Sequence, residues 1–273
     1  MSDDLTPQRI QHNLDSTIVG RAIEHYTQVG STNDLIRRQA RAAHPEGLVI
    51  VTDQQTAGRG RMGRTWAAPP GSSLLLSLLL RPSWLAPADA FSLTILASVA
   101  LCEAVEQLAP PRAALKWPND LLLPVRTAAG PMLRKAAGIL SEIELDGGRI
   151  AWVVIGIGVN VNWSPSGIVD GRDLAEVATS VGAAAGQPVE RLPLLRALLE
   201  RLDARYAALR RGDHAELFER WRDRLTTLGQ PVQISLPQGE LRGVAEDVDR
   251  TGALRVRDEH GVLHTVLAGD VGG

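Results

Sequence analysis

The stretch Ala57-Gly58-Arg59-Gly60-Arg61-Met62-Gly63-Arg64-Thr65-Trp66 places three glycines and three arginines in the seven residues 58–64. Glycine lets the backbone approach a ligand closely and take up positive φ. Arginine supplies a permanent charge and a planar fork of donors suited to phosphate or carboxylate. The loop therefore reads as one that closes over a small polyanion. It is neither a Walker A loop, which needs Gly-Lys-Ser/Thr at its end, nor the Gly-x-Gly-x-x-Gly of a dinucleotide fold, because no helix follows. A solvated basic loop or an arginine-rich nucleic-acid patch is the alternative.

The flanks of this loop alternate strand and helix. Upstream, Thr6 to Leu14 reads as a short helix and Ile23 to Val29 as a strand. Ser31-Thr32-Asn33-Asp34 is a helix N-cap signal for a helix continuing through Leu35 to Ala43, and Gly47 to Thr52 is a buried strand. Downstream, Ser73 to Leu80 is a second buried strand ended by Arg81-Pro82, and Ala88 to Leu108 has helical periodicity ending at Pro110-Pro111. Short strands follow at Ala113–Lys116 and Asp120–Leu123. Arg134 to Leu145 and Arg149 to Val161 form a hairpin around Asp146-Gly147-Gly148. Leu174 to Ala185, Leu192 to Leu209 and His214 to Leu225 read as helices. After Leu228-Gly229-Gln230-Pro231 the pattern changes to short alternating strands at Val232–Leu236, Glu240–Val248, Ala253–Asp258 and Val262–Val266, separated by Pro-Gln-Gly, Asp-Arg-Thr-Gly and Glu-His-Gly turns. That tail reads as a small all-β barrel. The expected division is 1–227 and 228–273.

Composition narrows the function classes. The 273 residues carry a net charge of −2 and a pI of about 6.3, so no global positive field favours nucleic acid. Any anion site must be local. Cys102 is the only cysteine, which excludes an intrachain disulfide and fits a reducing compartment; its apolar helical setting favours core packing over nucleophilic catalysis. Met1-Ser2-Asp3-Asp4 is acidic and opens no signal peptide, and the apolar runs Leu74–Leu80 and Trp152–Val161 are too short to span a bilayer. A cytoplasmic protein is expected. No His/Cys cluster has zinc spacing.

Three further segments carry chemistry. Lys116-Trp117-Pro118-Asn119-Asp120 brings a lysine, an amide and a carboxylate into five residues that Pro118 keeps out of a helix; a tight turn alone does not require the flanking tryptophan and lysine. In Arg134-Lys135-Ala136-Ala137-Gly138-Ile139-Leu140, Lys135 stands where an apolar strand begins, and Gly138 leaves room for a ligand against the sheet. Ile155-Gly156-Ile157-Gly158-Val159-Asn160 has two glycines in mid-strand, the mark of close backbone approach, a bulge or a bend.

In order and spacing, these segments resemble the biotin–protein ligase family in its cytosolic bacterial form, from Thr27-Gln28-Val29-Gly30-Ser31-Thr32-Asn33 to Ala268-Gly269-Asp270-Val271. The resemblance implies an α+β fold, a mixed β-sheet packed on helices, followed by a C-terminal SH3-like β-barrel. It implies that biotin and MgATP give biotinyl-5′-AMP and pyrophosphate, and that biotin then passes to a lysine of a biotin carboxyl carrier domain of a carboxylase such as acetyl-CoA carboxylase. It assigns Ser31, Thr32, Asn33 and Gln55 to the biotin ring, with Gly58, Arg59, Gly60 and Arg61 folding over it and Gly138 and Gly156 beneath. Lys135 would bridge the biotin carboxylate and the α-phosphate. Arg61 and Arg64 would hold the nucleotide with help from Asn119. Trp66 either covers the adenylate or anchors the loop. Mg²⁺ would sit on phosphate oxygens with Asn160 contributing to its site. Fixed cations suit the first step, in which a carboxylate attacks a polyphosphate.

In the second step the acceptor amine, with an unperturbed pKa of about 10.4, must lose a proton. Asp120 is the candidate base, or else orders the turn for Asn119. The catalytic pattern begins near residue 22, which leaves no room for the winged-helix DNA-binding domain of some relatives, and Met62 replaces a residue that is basic in many of them. No DNA or membrane partner is expected, and the chain is expected to be a monomer or weak homodimer. The competing enzyme is a lipoate–protein ligase of the same fold, disfavoured by the arginine loop and the tail barrel. Non-enzymatic alternatives are a nucleic-acid binder, or a biotin-binding module, which loss of Lys135 would have indicated.

Overall fold

The computed structural model describes residues 5–109, 112–127, 130–169, 172–236, 239–267 and 269–272. Thr6 starts helix α1 (Pro7–Gln11), its hydroxyl accepting from the Arg9 N–H at 3.4 Å. Strand β1 (Ala22–Val29), helix α2 (Thr32–Arg41) and strand β2 (Leu48–Gln55) follow. The arginine loop leads to β3 (Ser73–Leu80), all eight residues of which are buried, as a strand covered on both faces must be. Helix α3 (Ser92–Leu108) and strands β4 (Ala114–Lys116), β5 (Asp120–Thr127), β6 (Gly130–Asp146) and β7 (Arg149–Asn160) complete a seven-stranded sheet of order β1-β2-β3-β7-β6-β5-β4. Only β1 and β2 pair in parallel; the other neighbours are antiparallel. A small pair, β8 (Ile168–Val169) and β9 (Arg172–Asp173), precedes helices α4 (Leu174–Val177), α5 (Val181–Ala185), α6 (Arg191–Arg210) and α7 (His214–Arg222). The tail holds β10 (Pro231–Leu236), β11 (Gly239–Val248), β12 (Leu254–Arg257), β13 (Leu263–Val266) and β14 (Asp270–Gly272) in an antiparallel sheet of order β13-β12-β11-β10-β14, consistent with an SH3-like barrel.

The sheet is packed on both faces. Helices α3, α6 and α7 form the main core on one side, with Cys102 fully buried among them. On the other, Ile36 and Ala40 of α2 pack on Leu48, Ile50, Leu79, Trp152 and Val154. Helix α2 covers only part of that face, and the uncovered part becomes the floor of a cleft.

Several expectations need correction. The run Pro87–Leu108 is long and apolar enough to cross a membrane, so the apolar segments are not all short; most of it is buried inside the fold, where it is the central core helix. The single helix expected over Leu174–Ala185 is two, because the Thr179 N–H donates to the Lys135 carbonyl at 2.8 Å and Ser180 then caps the second helix. A tertiary hydrogen bond outranks local propensity there. Strand β5 runs on to Thr127, and β14 was not anticipated. Ser31 occupies the N-cap position of α2 without a side-chain capping bond. The helix end expected at Pro110-Pro111, the acidic start Met1–Asp4, the Pro237-Gln238 part of one turn and Ala268 lie outside the described residues.

Trp117 owes its place to the tail rather than to a ligand. Its indole is 1% exposed, its Nε1 donates to the Gly252 carbonyl at 2.9 Å, and its backbone N–H donates to Thr227 Oγ1 at 3.0 Å. Phe91 closes the same contact: a side chain at Gly252 would collide with its ring. The β11–β12 turn is thereby docked on the residue that begins the Trp117–Asp120 turn.

Candidate active site

The floor of the cleft is a chain of polar side chains drawn from four elements. Gln55 Oε1, at the end of β2, accepts from the backbone N–H and the hydroxyl of Thr32 at 2.8 and 3.1 Å. Ser77 of β3 offers its hydroxyl to Thr32 Oγ1 and Asn33 Oδ1 at 2.7 and 2.6 Å. Asn33 Nδ2 donates to Glu142 Oε2 of β6 at 2.6 Å. Ser31, Thr32, Asn33 and Ser77 are all buried. Burying so many polar atoms is costly unless they are bonded, and the mutual bonding of Thr32, Asn33, Gln55, Ser77 and Glu142 holds those side chains in place before a ligand arrives. Gly156 permits the arrangement, since a Cβ there would collide with the Asn33 amide.

The opposite end of the cleft is cationic. Lys135 Nζ lies 2.7 Å from Asp120 Oδ1 and 5.7 Å from the centre of the Trp66 ring, a cation–π distance. Arg61 Nη1 donates to Asn119 Oδ1 at 3.3 Å, and Asn119 is tied to β6 through Nδ2 and the Ile139 carbonyl at 2.5 Å. Burial lowers the Arg61 guanidinium from its ordinary value; Asp120 opposes the shift and Arg64 adds to it. A desolvated cation of this kind gains more from an incoming anion than one left in water.

The arginine loop spans the two ends. It is a small closed hairpin: Arg59 bridges Thr65, the Gly60 N–H donates to Arg64 O at 2.7 Å and the Trp66 N–H to Gly58 O at 3.0 Å. Gly58 must be glycine, because a Cβ would strike the Trp66 carbonyl. The Trp66 indole lies over Gly138 and Gly158, which face each other across β6 and β7. Its Nε1 is buried with no hydrogen-bond partner among the described residues. The cleft so formed spans about 850 Å³ when the open solvent at its mouth is included.

Residues 26–160 match the model of the biotin/lipoate A/B protein ligase family, and residues 227–271 match that of the biotin protein ligase C-terminal domain. The biotin--[acetyl-CoA-carboxylase] ligase of Mycobacterium tuberculosis is 35% identical over 98% of this chain and 97% of its own length. The chain belongs to the biotin/lipoate protein ligase family. The bifunctional ligase/repressor BirA of Bacillus subtilis is 30% identical over 94% of this chain and 76% of its own length. Among solved structures, the biotin protein ligase from Aquifex aeolicus in complex with biotin and ATP is similar, with a TM-score of 0.73 and 25% identity over 92% of this chain and 98% of that one.

Within this ligase fold, all the expected site residues except Gly58 and Asn160 line the cleft. Asn160 is 2% exposed and sits behind the wall. Its Nδ2 donates to Thr179 O at 3.0 Å, and the Thr179 N–H holds the Lys135 carbonyl. Asn160 thus braces the strand that carries Lys135, while its Oδ1 has no hydrogen-bond partner among the described residues. Arg59, expected among the anion-facing cations, instead pairs with Asp34 at 2.8 Å. Sequence reasoning assigned no role to Ser77, Glu142 and Asp34, which hold the lining residues Asn33 and Arg59 from behind, or to Gly269, which the tail barrel contributes to the cleft wall. A polar residue inside the leucine run of β3 was the available signal for Ser77, and Asp34 stands next to Asn33 in the N-cap motif; Glu142 and Gly269 join the site from remote segments without a local mark.

Proposed function

We propose that this chain joins biotin to ATP, forming biotinyl-5′-AMP with release of pyrophosphate, and then transfers the biotinyl group to a lysine of a biotin carboxyl carrier domain. The carrying observation is the two-ended cleft: a prebonded neutral polar floor at Thr32, Asn33 and Gln55, and a cationic end at Lys135 and Arg61. A neutral ureido ring with a carboxylate tail needs that polarity. In the first step a biotin carboxylate oxygen attacks the α-phosphorus and pyrophosphate leaves, with no proton transferred. Lys135 and Arg61 offset the repulsion between the two anions. In the second step the acceptor amine attacks the acyl carbon, AMP leaves, and the amine's proton goes to Asp120. Asp120 is engaged by Lys135 when the cleft is empty; drawing Lys135 toward the ligand's anions releases that carboxylate for the incoming amine.

Magnesium would arrive on the phosphates of ATP. Among the described residues no group of three acidic, histidine or cysteine side chains could hold a metal, and Asn160 lies behind the cleft wall, so the residues present do not form a protein-built site. The partner we infer is a protein carrier, as the names of the ligases from M. tuberculosis and Paracoccus denitrificans imply for those proteins, rather than DNA or a membrane. We further propose cytoplasmic action as a monomer or weak homodimer, with residues 1–227 as catalytic domain and 228–273 as the barrel that closes the nucleotide end through Gly269. ATP–pyrophosphate exchange tests the reading: it is expected with biotin and absent without it. Exchange supported by lipoate and not by biotin would assign the lipoate branch instead.

A further inference from the structure

Arg59 is held by two carboxylates. Its Nη2 lies 2.8 Å from Asp34 Oδ1 and 3.6 Å from Glu142 Oε1. Arg37 bonds the same two acids, Asp34 in the first turn of α2 and Glu142 at 3.3 Å. The four side chains form a neutral square of two cations and two anions, between one quarter and two fifths exposed. Arg59 therefore adds little net charge to the field at Lys135 and Arg61. Glu142 has a second duty: its other oxygen accepts from Asn33 Nδ2, so one carboxylate fixes a residue of the polar floor and one end of the glycine loop.

We propose that Asp34 and Glu142 are positioning residues for biotin, forming an acidic clasp that holds the arginine loop over the cleft floor through Arg59. Because residues 58–66 are cross-bonded into a single hairpin, gripping Arg59 places the whole loop. Trp66 seats the hairpin at the nucleotide end over Gly138 and Gly158; the clasp seats it at the biotin end. Through Glu142, loop closure and the rotamer of Asn33 become one coupled unit. The inference rests on the ligase reading for its ligand, but loop seating is measurable without any ligand.

The test uses the full chain with Asp34→Asn, Glu142→Gln and the two combined, each nearly isosteric, with thermal unfolding as the check on folding. In ligand-free protein, amide hydrogen exchange of residues 57–66 is expected to quicken by about 2- to 5-fold for each single variant, the scale of a partly exposed ion pair. The biotin KM in pyrophosphate exchange should rise by a similar factor while kcat at saturating biotin stays near the native value, the signature of a positioning role rather than loss of a group made only for the transition state. Raising salt should shrink the difference. Combining Asp34→Asn with Arg59→Gln should give less than the sum of the two effects, because the partners share one interaction. Native loop exchange in the folded double acid variant overturns the clasp, as does strict additivity of Asp34→Asn and Arg59→Gln. Absence of biotin-dependent exchange in the native protein would instead sink the ligase reading and leave the loop-exchange result to stand on its own.

Discussion

Gly138 and Gly158 allow a graded test of how the loop is seated. Both lie in extended strands, a backbone conformation that alanine adopts without strain. A Cβ on Gly158 would stand 2.6 Å from Trp66 Cε2 and 2.9 Å from Cζ2 and Nε1, whereas one on Gly138 would stand 3.3 Å from Cζ3 and 3.4 Å from the Lys135 Cε and Nζ. Ordinary contact between carbons is about 3.5 to 4.0 Å, so the first overlap is about 1 Å and the second a few tenths. Overpacking of the first kind costs about 1 to 3 kcal/mol. The strand itself loses nothing, since glycine is the poorer strand residue by about 0.5 to 1 kcal/mol. The strain falls on the element that can leave, which is the loop carrying Trp66. Gly158→Ala should shift the loop toward open by roughly 5- to 100-fold, at about 1.4 kcal/mol per decade, and raise the KM for ATP in biotin-dependent pyrophosphate exchange accordingly. Gly138→Ala should change it by no more than about 3-fold, because the flexible end of Lys135 can yield. Thermal unfolding should stay near native for both. If Gly158→Ala keeps the native ATP KM and loop exchange, or if Gly138→Ala is the more damaging, the indole does not rest on the glycine pair as described.

Lys135→Ala should slow adenylation by about 10²-fold or more in a folded protein, the scale of removing one preorganised charge stabiliser; near-native pyrophosphate exchange would remove Lys135 from the mechanism. Asp120→Asn should slow single-turnover transfer from supplied biotinyl-AMP, with the deficit shrinking between about pH 7 and about pH 9.5 as more acceptor amine is neutral; a deficit constant across that range rules out the base role and leaves Asp120 as the partner that holds Lys135. Trp117→Phe removes the donor to Gly252 and should cost about 1 to 2 kcal/mol, read as a drop of about 2 to 8 °C in Tm for a chain of this size; an unchanged Tm would show that the bond does not hold the barrel in place. Burial pushes the Cys102 thiol up to about 12, so at about pH 8 it stays protonated and should react with a thiol reagent only as fast as the chain unfolds; rapid labelling of the folded protein would contradict its place in the core.

Alternation and punctuation were enough to locate most elements. The leucine run of β3, the Asp146-Gly147-Gly148 turn and the change of pattern after Leu228 are local signals, and the structure has a strand, a hairpin turn and a new sheet at those places. The same logic failed over Leu174–Ala185, where the residues are good helix formers and the break at Thr179 is imposed by Lys135, remote in sequence. It also left Trp117 without a partner, because Gly252, whose carbonyl its indole meets, lies 135 positions away.

What the sequence by itself determined is the inventory of the site and the order of its parts: the glycine and arginine spacing of residues 58–64, the polar trio Ser31-Thr32-Asn33, and Lys135, which the structure places inside β6, five residues after its start at Gly130. These express backbone geometry and residue chemistry over a few positions, and such constraints are written locally. Only the tertiary structure decided which partner each side chain takes. Arg59 and Arg61 stand two apart in one loop and look equivalent in the sequence, yet Arg59 turns to Asp34 and Glu142 while Arg61 turns to Asn119. Antiparallel pairing of β6 with β7 and β5, and the seat of α2 on β3, set which carboxylate and which amide come within reach. A charge pairs with whatever the register brings to within about 4 Å, and register is settled by the packing of whole strands, not by the residues adjacent in the chain.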